Sequence, residues 1–316
     1  MAPDNEHLLI DGSIDEIGGA FRTGALAIEE AAEWFEARIR ALSQAGPKLN
    51  AVRALNPHLT DDARNLSAEL KGGHDRGRLH GVAVLLKDNI LTADGMTATA
   101  GSAALVDFHP SREAFLVRRL REAGALILGK TNMTEFADYV SDVMPSEFSS
   151  AGGVVRNPHG FAYGRGQGSS VGSAAAVAAS LCVFAIGSET QNSIQSPAVH
   201  SSVVGYKPTV GLVSRSGVVP LVPSQDSPGP LTRCVADARR VLEVVAGPDG
   251  LDPASMLRQS ARVGEGQSRE IRGLRIGVPR RGQADRPEFA GVAAHFDALL
   301  SRLSKAGAVI VDPCDL

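Results

Sequence analysis

An apolar run, Gly81-Val82-Ala83-Val84-Leu85-Leu86, leads directly into Lys87-Asp88-Asn89. A lysine presented from a hydrophobic strand loses its proton more readily than one in water, because burial penalises the charged form. To serve as a base near neutrality its pKa must fall from about 10.4 toward about 7–8, roughly 4 kcal/mol of desolvation and neighbour effects. The flanking apolar residues can supply the desolvation, and Asp88 opposes it unless its carboxylate points elsewhere. Two serine-bearing segments follow: Gly166-Gln167-Gly168-Ser169-Ser170-Val171-Gly172-Ser173, which opens an alanine-rich run, and Ser188-Glu189-Thr190-Gln191-Asn192-Ser193-Ile194. Their hydroxyls offer a nucleophile and a proton relay. The combination points to acyl transfer by a serine activated through lysine, with no histidine required.

Each segment also has a plainer reading. A lone lysine past a strand usually sits in solvent. A Gly/Ser turn feeding a helix of small residues can simply be tight packing, although helix-start N–H groups also make such a turn an anion or oxyanion site. The Gly-Lys-Ser/Thr ending of a phosphate loop is missing, which argues against nucleotide binding. The turn before Ser193 is a polar loop whose successive N–H groups could line an oxyanion hole.

The elements that must carry these residues are legible in outline. Residues 25–44 place Leu26, Ile28, Ala31, Ala32, Phe35, Ile39 and Leu42 at near-helical spacing, predicting an amphipathic helix that ends near Gly46-Pro47. A second helix is expected from Thr60 or Asp61 to Leu70, stopping at Gly72-Gly73, with the strand to Lys87 after it. Residues 116–128 and 299–311 read alike, each as a helix, a glycine at a left-handed turn (Gly124, Gly307) and a buried strand. A repeated packing solution explains this more simply than a duplication. Residues 274–279 predict another strand, and residues 249–272 a polar, exposed connection. Strands alternating with helices give an α/β fold around a mixed sheet. The strand at Val309-Ile310-Val311 leaves a sheet edge that calls for cover from a second copy, a partner or further sequence.

Composition narrows the class. The chain has 316 residues, 43% hydrophobic and 21% charged, with a formal net charge of −3. That suits a globular core and gives no reason to expect nucleic acid or an anionic membrane as partner. Cys182, Cys234 and Cys314 are scattered without metal or disulfide spacing, which fits a reducing, cytoplasmic setting. The acidic start Met1-Ala2-Pro3-Asp4-Asn5-Glu6 lacks the order of a signal peptide, and no apolar run is long enough to span a bilayer.

Taken together, the three segments resemble the amidase signature family, whose core reads as a Gly/Ser-rich stretch, an acidic-Thr-x-x-Ser-Ile turn and Val-Gly-x-Lys-Pro-Thr. This chain supplies the last as Val204-Gly205-Tyr206-Lys207-Pro208-Thr209, and adds Gly129-Lys130-Thr131-Asn132-Met133-Thr134-Glu135-Phe136 upstream and Asp226-Ser227-Pro228-Gly229-Pro230-Leu231 downstream. The resemblance covers nearly the whole chain. It implies one amidase domain with a mixed sheet covered by helices on both faces: an N-terminal helical part (1–75), a signature core (76–248), a linker (249–272) and the start of a C-terminal part (273–316). It further implies a Ser–Ser–Lys triad, with Ser193 as nucleophile, Ser169 as a bridging serine held by a cis peptide, and Lys87 as base. Ser170 would orient Lys87, and the N–H groups of Thr190, Gln191, Asn192 and Ser193 would receive the oxyanion. No metal or cofactor is implied; the partner is a small-molecule or peptide amide.

Three positions depart from the family pattern. Gln191 and Asn192 stand where a small residue and glycine are usual, and Gln167 replaces a glycine before the serine turn. Neutral drift and a changed pocket both account for them. The chain also resembles only the first two-thirds of a family member. Met144-Pro145-Ser146 ahead of Ser149-Ser150-Ala151-Gly152-Gly153 resembles the peptide-amidase-like branch. The alternatives are a glutaminase subunit of a transfer-RNA amidotransferase, whose loop over residues 138–148 differs, and a binding protein with a degenerate pocket.

Overall fold

In the computed structural model, which describes residues 3–257, 270–281 and 290–315, the chain opens with three helices, α1 (Pro3–Asp11), α2 (Ile14–Thr23) and α3 (Ile28–Arg38). Ser13 caps α2 and Glu16 reaches back to the Ser13 amide, so two orphan donors are satisfied reciprocally. Helix α3 buries Ile28, Ala31, Ala32 and Phe35, the stripe expected from the sequence. It runs into a π-helical stretch, Ile39–Gln44, so the single predicted helix changes hydrogen-bond register partway. Strand β1 (Val52–Leu55) and helix α4 (Leu59–Lys71) follow.

Next come β2 (Ala83–Lys87), α5 (Phe115–Glu122), β3 (Leu126–Thr131) and the small hairpin β4 (Phe148–Ser149) and β5 (Gly153–Val154). The succession ends with α6 (Val171–Ala178), β6 (Phe184–Glu189), α7 (Gln195–His200), β7 (Val204–Gly205), β8 (Ser227–Thr232), α8 (Val235–Val245) and α9 (Pro253–Met256). Six strands form one mixed sheet in the order β1-β3-β2-β6-β8-β7. Strand β2 runs parallel to β3 and β6, and the outer pairings are antiparallel. Every residue of β2, β3 and β8 is buried, which requires cover on both faces because successive side chains alternate. Helix α6 packs across β2, β3, β6 and β8, α3 and α4 meet β3, and α8 meets β8.

Strand β8 contains Pro228 and Pro230 yet lies inside the sheet. The Pro230 carbonyl accepts from the Tyr206 amide at 3.1 Å, so the ring nitrogen faces the β7 side as well. Strand β7 spans only two residues, and little ladder is lost there.

The chain divides into two compact units, Met1–Val263 and Gly264–Leu316. In the second, β9 (Arg275–Gly277) pairs in parallel with β10 (Val309–Val311), and α10 (Ala290–Lys305) precedes β10. The two segments that read alike do close alike. The Gly124 amide donates to Arg121 O and that of Ala125 to Leu120 O; Gly307 donates to Ser304 O and Ala308 to Leu303 O, the same Schellman closure. Their strands differ, since β3 is wholly buried while Val309 is exposed and Ile310 and Val311 are half-buried. The expected exposed connection over 249–272 also needs correction at its start. Asp249 and Asp252 are buried and Asp252 caps α9; residues 258–269 lie outside the described residues.

Candidate active site

Strands β2 and β6 are parallel neighbours with Leu86 opposite Ile186, so Lys87 and Ser188 lie near each other at the carboxyl ends of the two strands. Lys87 is fully buried. Its Nζ lies 2.8 Å from Ser169 Oγ and 3.0 Å from both the carbonyl and the hydroxyl oxygen of Ser188. Burial pulls its pKa down from 10.5 to about 7, against the opposing pull of Glu189 and Asp226. Asp88 points away from the site. It pairs with Arg53 at 2.7 Å and accepts from the Thr99 hydroxyl and amide, so the nearest carboxylate in sequence is spent elsewhere. A second buried lysine, Lys130, donates to the Ile90 carbonyl, and burial lowers its pKa to about 8.

The Gly168–Ser169 peptide is cis, in the turn that feeds α6. Ser170 reaches Lys87 only through a shared acceptor. Its hydroxyl donates to Ser188 O at 3.2 Å rather than touching Lys87, and its amide donates to Ser193 O at 3.0 Å. It is also wholly buried. Ser170 therefore ties together the two segments that flank the site, and the direct partner of Lys87 on that side is Ser188.

The turn carrying Ser193 is held by Glu189, whose Oε2 accepts the Ile194 and Gln195 amides at 2.7 and 2.9 Å. An acidic side chain at this helix start satisfies donors that would otherwise lack partners. Ser193 is buried, and its hydroxyl donates to Gln191 O at a long 3.4 Å. Among the described residues no hydrogen bond joins it to Ser169; the two serines instead share the wall of one cavity of about 500 Å³. The amides of Thr190, Gln191, Asn192 and Ser193 donate to no acceptor among the described residues. Asn192 adopts φ 55°, the left-handed conformation that glycine fills most easily, and its side chain donates to Gly166 O at 3.0 Å. The side chains of Gln191 and Asn192 are exposed and, like Gln167, are absent from the cavity wall.

The rest of the wall is largely apolar, with Met133, Phe136, Val219 and Leu221 among its residues. Asp226 closes one side, accepting from the Thr190 hydroxyl and from the Leu221 and Val222 amides at 2.9 and 3.0 Å. Ser188, Asn89 and Asp226 carry no role in the sequence reading. Asn89 donates to Ser188 Oγ at 2.9 Å, and the available clue was that two apolar strands each end in a polar pair. Among the described residues, no three His, Cys, Asp or Glu side chains converge as a metal site, and no helix is long and apolar enough to cross a membrane. The arrangement can accept a proton at Lys87, pass it through Ser169, and offer free N–H groups beside a second serine.

In sequence and fold, the chain as a whole is similar to known proteins. The chain is 41% identical to native peptide amidase from Stenotrophomonas maltophilia, superposing with a TM-score of 0.89 over 97% of this chain and 62% of that one. An amidase family protein from Bacillus anthracis gives a TM-score of 0.91 at 33% identity, covering 99% and 62%. A glutamyl-tRNA(Gln) amidotransferase subunit from Symbiobacterium thermophilum is 40% identical over 300 residues, 94% of this chain and 59% of its own length. The chain spans about half the length of the curated relatives it matches. A family model for amidases matches residues 33–315. With the mixed sheet shared as well as the sequence, the chain belongs to the amidase family.

Proposed function

We propose that the chain hydrolyses the C–N bond of linear carboxamides through an acyl-enzyme on Ser193, with Ser169 relaying the proton to Lys87. The observation that carries this is a fully buried lysine with its amine 2.8 Å from Ser169 Oγ, beside a cavity that Ser169 shares with Ser193. A neutral amine has two N–H donors and one lone pair. The two acceptors of Ser188 match the donors, leaving the lone pair for the Ser169 hydroxyl. Ser169 then takes the proton of Ser193 as Ser193 Oγ bonds to the carbonyl carbon, and the free amides of residues 190–193 receive the oxyanion. The same proton returns through Ser169 to the leaving nitrogen as the C–N bond breaks. Water, deprotonated by the same route, cleaves the ester to the acid. The described cysteines are all free, which fits a cytoplasmic setting.

The similarity to the amidotransferase subunit favours a second reading, release of ammonia from glutamine for a partner. Both readings use the same serine. A fluorophosphonate probe tests the chemistry: mass spectrometry should find the adduct on Ser193, labelling should speed up as pH rises through about 7, and Lys87→Ala should abolish it. A folded chain that resists labelling, or one that labels equally well as Lys87→Ala, refutes the proposal.

A further inference from the structure

The charges around the cavity are unevenly committed. Arg215 is the one cation among the described residues of its wall, and Asp252 consumes it. The Arg215 amide and Nε reach Asp252 Oδ2 at 2.8 and 2.9 Å, Nη2 reaches the other oxygen, and Nη1 donates to Pro223 O. The pair is mostly buried, with side-chain exposures of 18% and 4%. Glu189 and Asp226 add two carboxylates to the same wall, and among the described residues neither forms a salt bridge. Their attachments are main-chain amides and, for Asp226, the Thr190 hydroxyl. Everything else that meets a ligand is apolar or a neutral hydroxyl or amide.

We infer that this cavity accepts amides without a carboxylate and rejects carboxylate-bearing ones, and that the Arg215–Asp252 pair sets the rejection. A substrate carboxylate would enter an apolar, net negative space in which the one guanidinium among the described wall residues is already bidentate to another acid. Desolvating an anion without a partner, next to like charges, is strongly unfavourable. The inference rests on the amide-binding reading of the same cavity. It also bears on the glutamine alternative, since glutamine brings an α-carboxylate.

A matched pair of probes tests it: N-acetyl-L-glutamine and its methyl ester carry the same side-chain carboxamide and differ by one negative charge. Binding is read by ligand-observed NMR at pH 8 on the Ser193→Ala chain, where no turnover is needed, and ammonia release is read separately on the parent. The ester should bind at least about 30-fold tighter than the acid. Asp252→Asn, which frees Arg215, should narrow that gap about 5- to 10-fold by strengthening the acid alone. Circular dichroism confirms that each variant is folded. Equal binding of acid and ester, a gap that Asp252→Asn leaves unchanged, or no binding of the ester overturns the inference. A charge-dependent gap with no ammonia release from either probe leaves the inference standing and removes the hydrolase reading instead.

Discussion

Replacing Lys87 by methionine tests the buried amine without any substrate. The fall of its pKa from 10.5 to about 7 means that the folded chain disfavours the ammonium by about 5 kcal/mol. Below pH 7 both folded and unfolded chains hold the proton, and the folded state bears the whole penalty. Between about 7 and 10.5 the unfolded chain binds the proton that the folded chain has released, so stability rises with pH. Above 10.5 neither holds it and the penalty is gone. Lys87→Met removes this titration while keeping an unbranched, apolar side chain of similar length. The stability difference between variant and parent should be flat below pH 6.5 and should then shift toward the parent, by about 2.5 kcal/mol between pH 7.5 and 9.5. The three hydrogen bonds lost from Nζ offset it by a pH-independent amount and leave the slope intact. Lys130 titrates in both proteins and cancels. Urea unfolding followed by the fluorescence of Trp34, with linear extrapolation at each pH, supplies the numbers. A difference that stays constant across this window would show that Lys87 keeps an ordinary pKa in the fold, and the general-base assignment would fall with it.

Two further substitutions probe the supports. Asp88→Asn should destabilise the fold by about 3 kcal/mol, because Arg53 would be left as a partly buried cation without its counter-charge; a change below about 1 kcal/mol in urea unfolding would contradict that pairing. Asn192→Gly should leave fluorophosphonate labelling equal or faster, since glycine holds φ 55° without strain, whereas Asn192→Val should cost about 1–2 kcal/mol of stability at that backbone position and slow labelling. Equal stability of the two would show that the turn relaxes around this residue.

Much of the candidate site's placement was legible in short, specific segments. The apolar run before Lys87 does bury it, and the Gly/Ser turn does place Ser169 at the amine. The Schellman glycines Gly124 and Gly307 announced both helix ends. Other features depend on tertiary partners. Strand β8 has no counterpart among the expected elements; its two prolines argue against a strand, and only its pairing with the very short β7 shows why they are tolerated. The part of Ser188 follows from the register of β2 against β6, which no local pattern encodes. The resemblance implies that Ser170 orients Lys87; its hydroxyl meets the Ser188 carbonyl, which also accepts from the amine. Asp249 and Asp252 look like solvent-facing residues until Arg215, Ser214 and Ser216 arrive from far along the chain.

Helix α6 meets the sheet with no room for a side chain at two glycines. A Cβ on Gly172 would press into the main chain of Asn132 and approach Ala51 O to 2.6 Å, and one on Gly187 would come within 2.7 Å of Ser170 Oγ. Even a methyl group at either position would push the start of α6 away from the sheet. The exposed side chains of Tyr139 and Val140, which also line the cavity, are under no such constraint. Variation that retunes which molecules are admitted can accumulate at such rim positions, while these two glycines tolerate almost none, so ligand preference is free to diverge faster than the backbone beneath it.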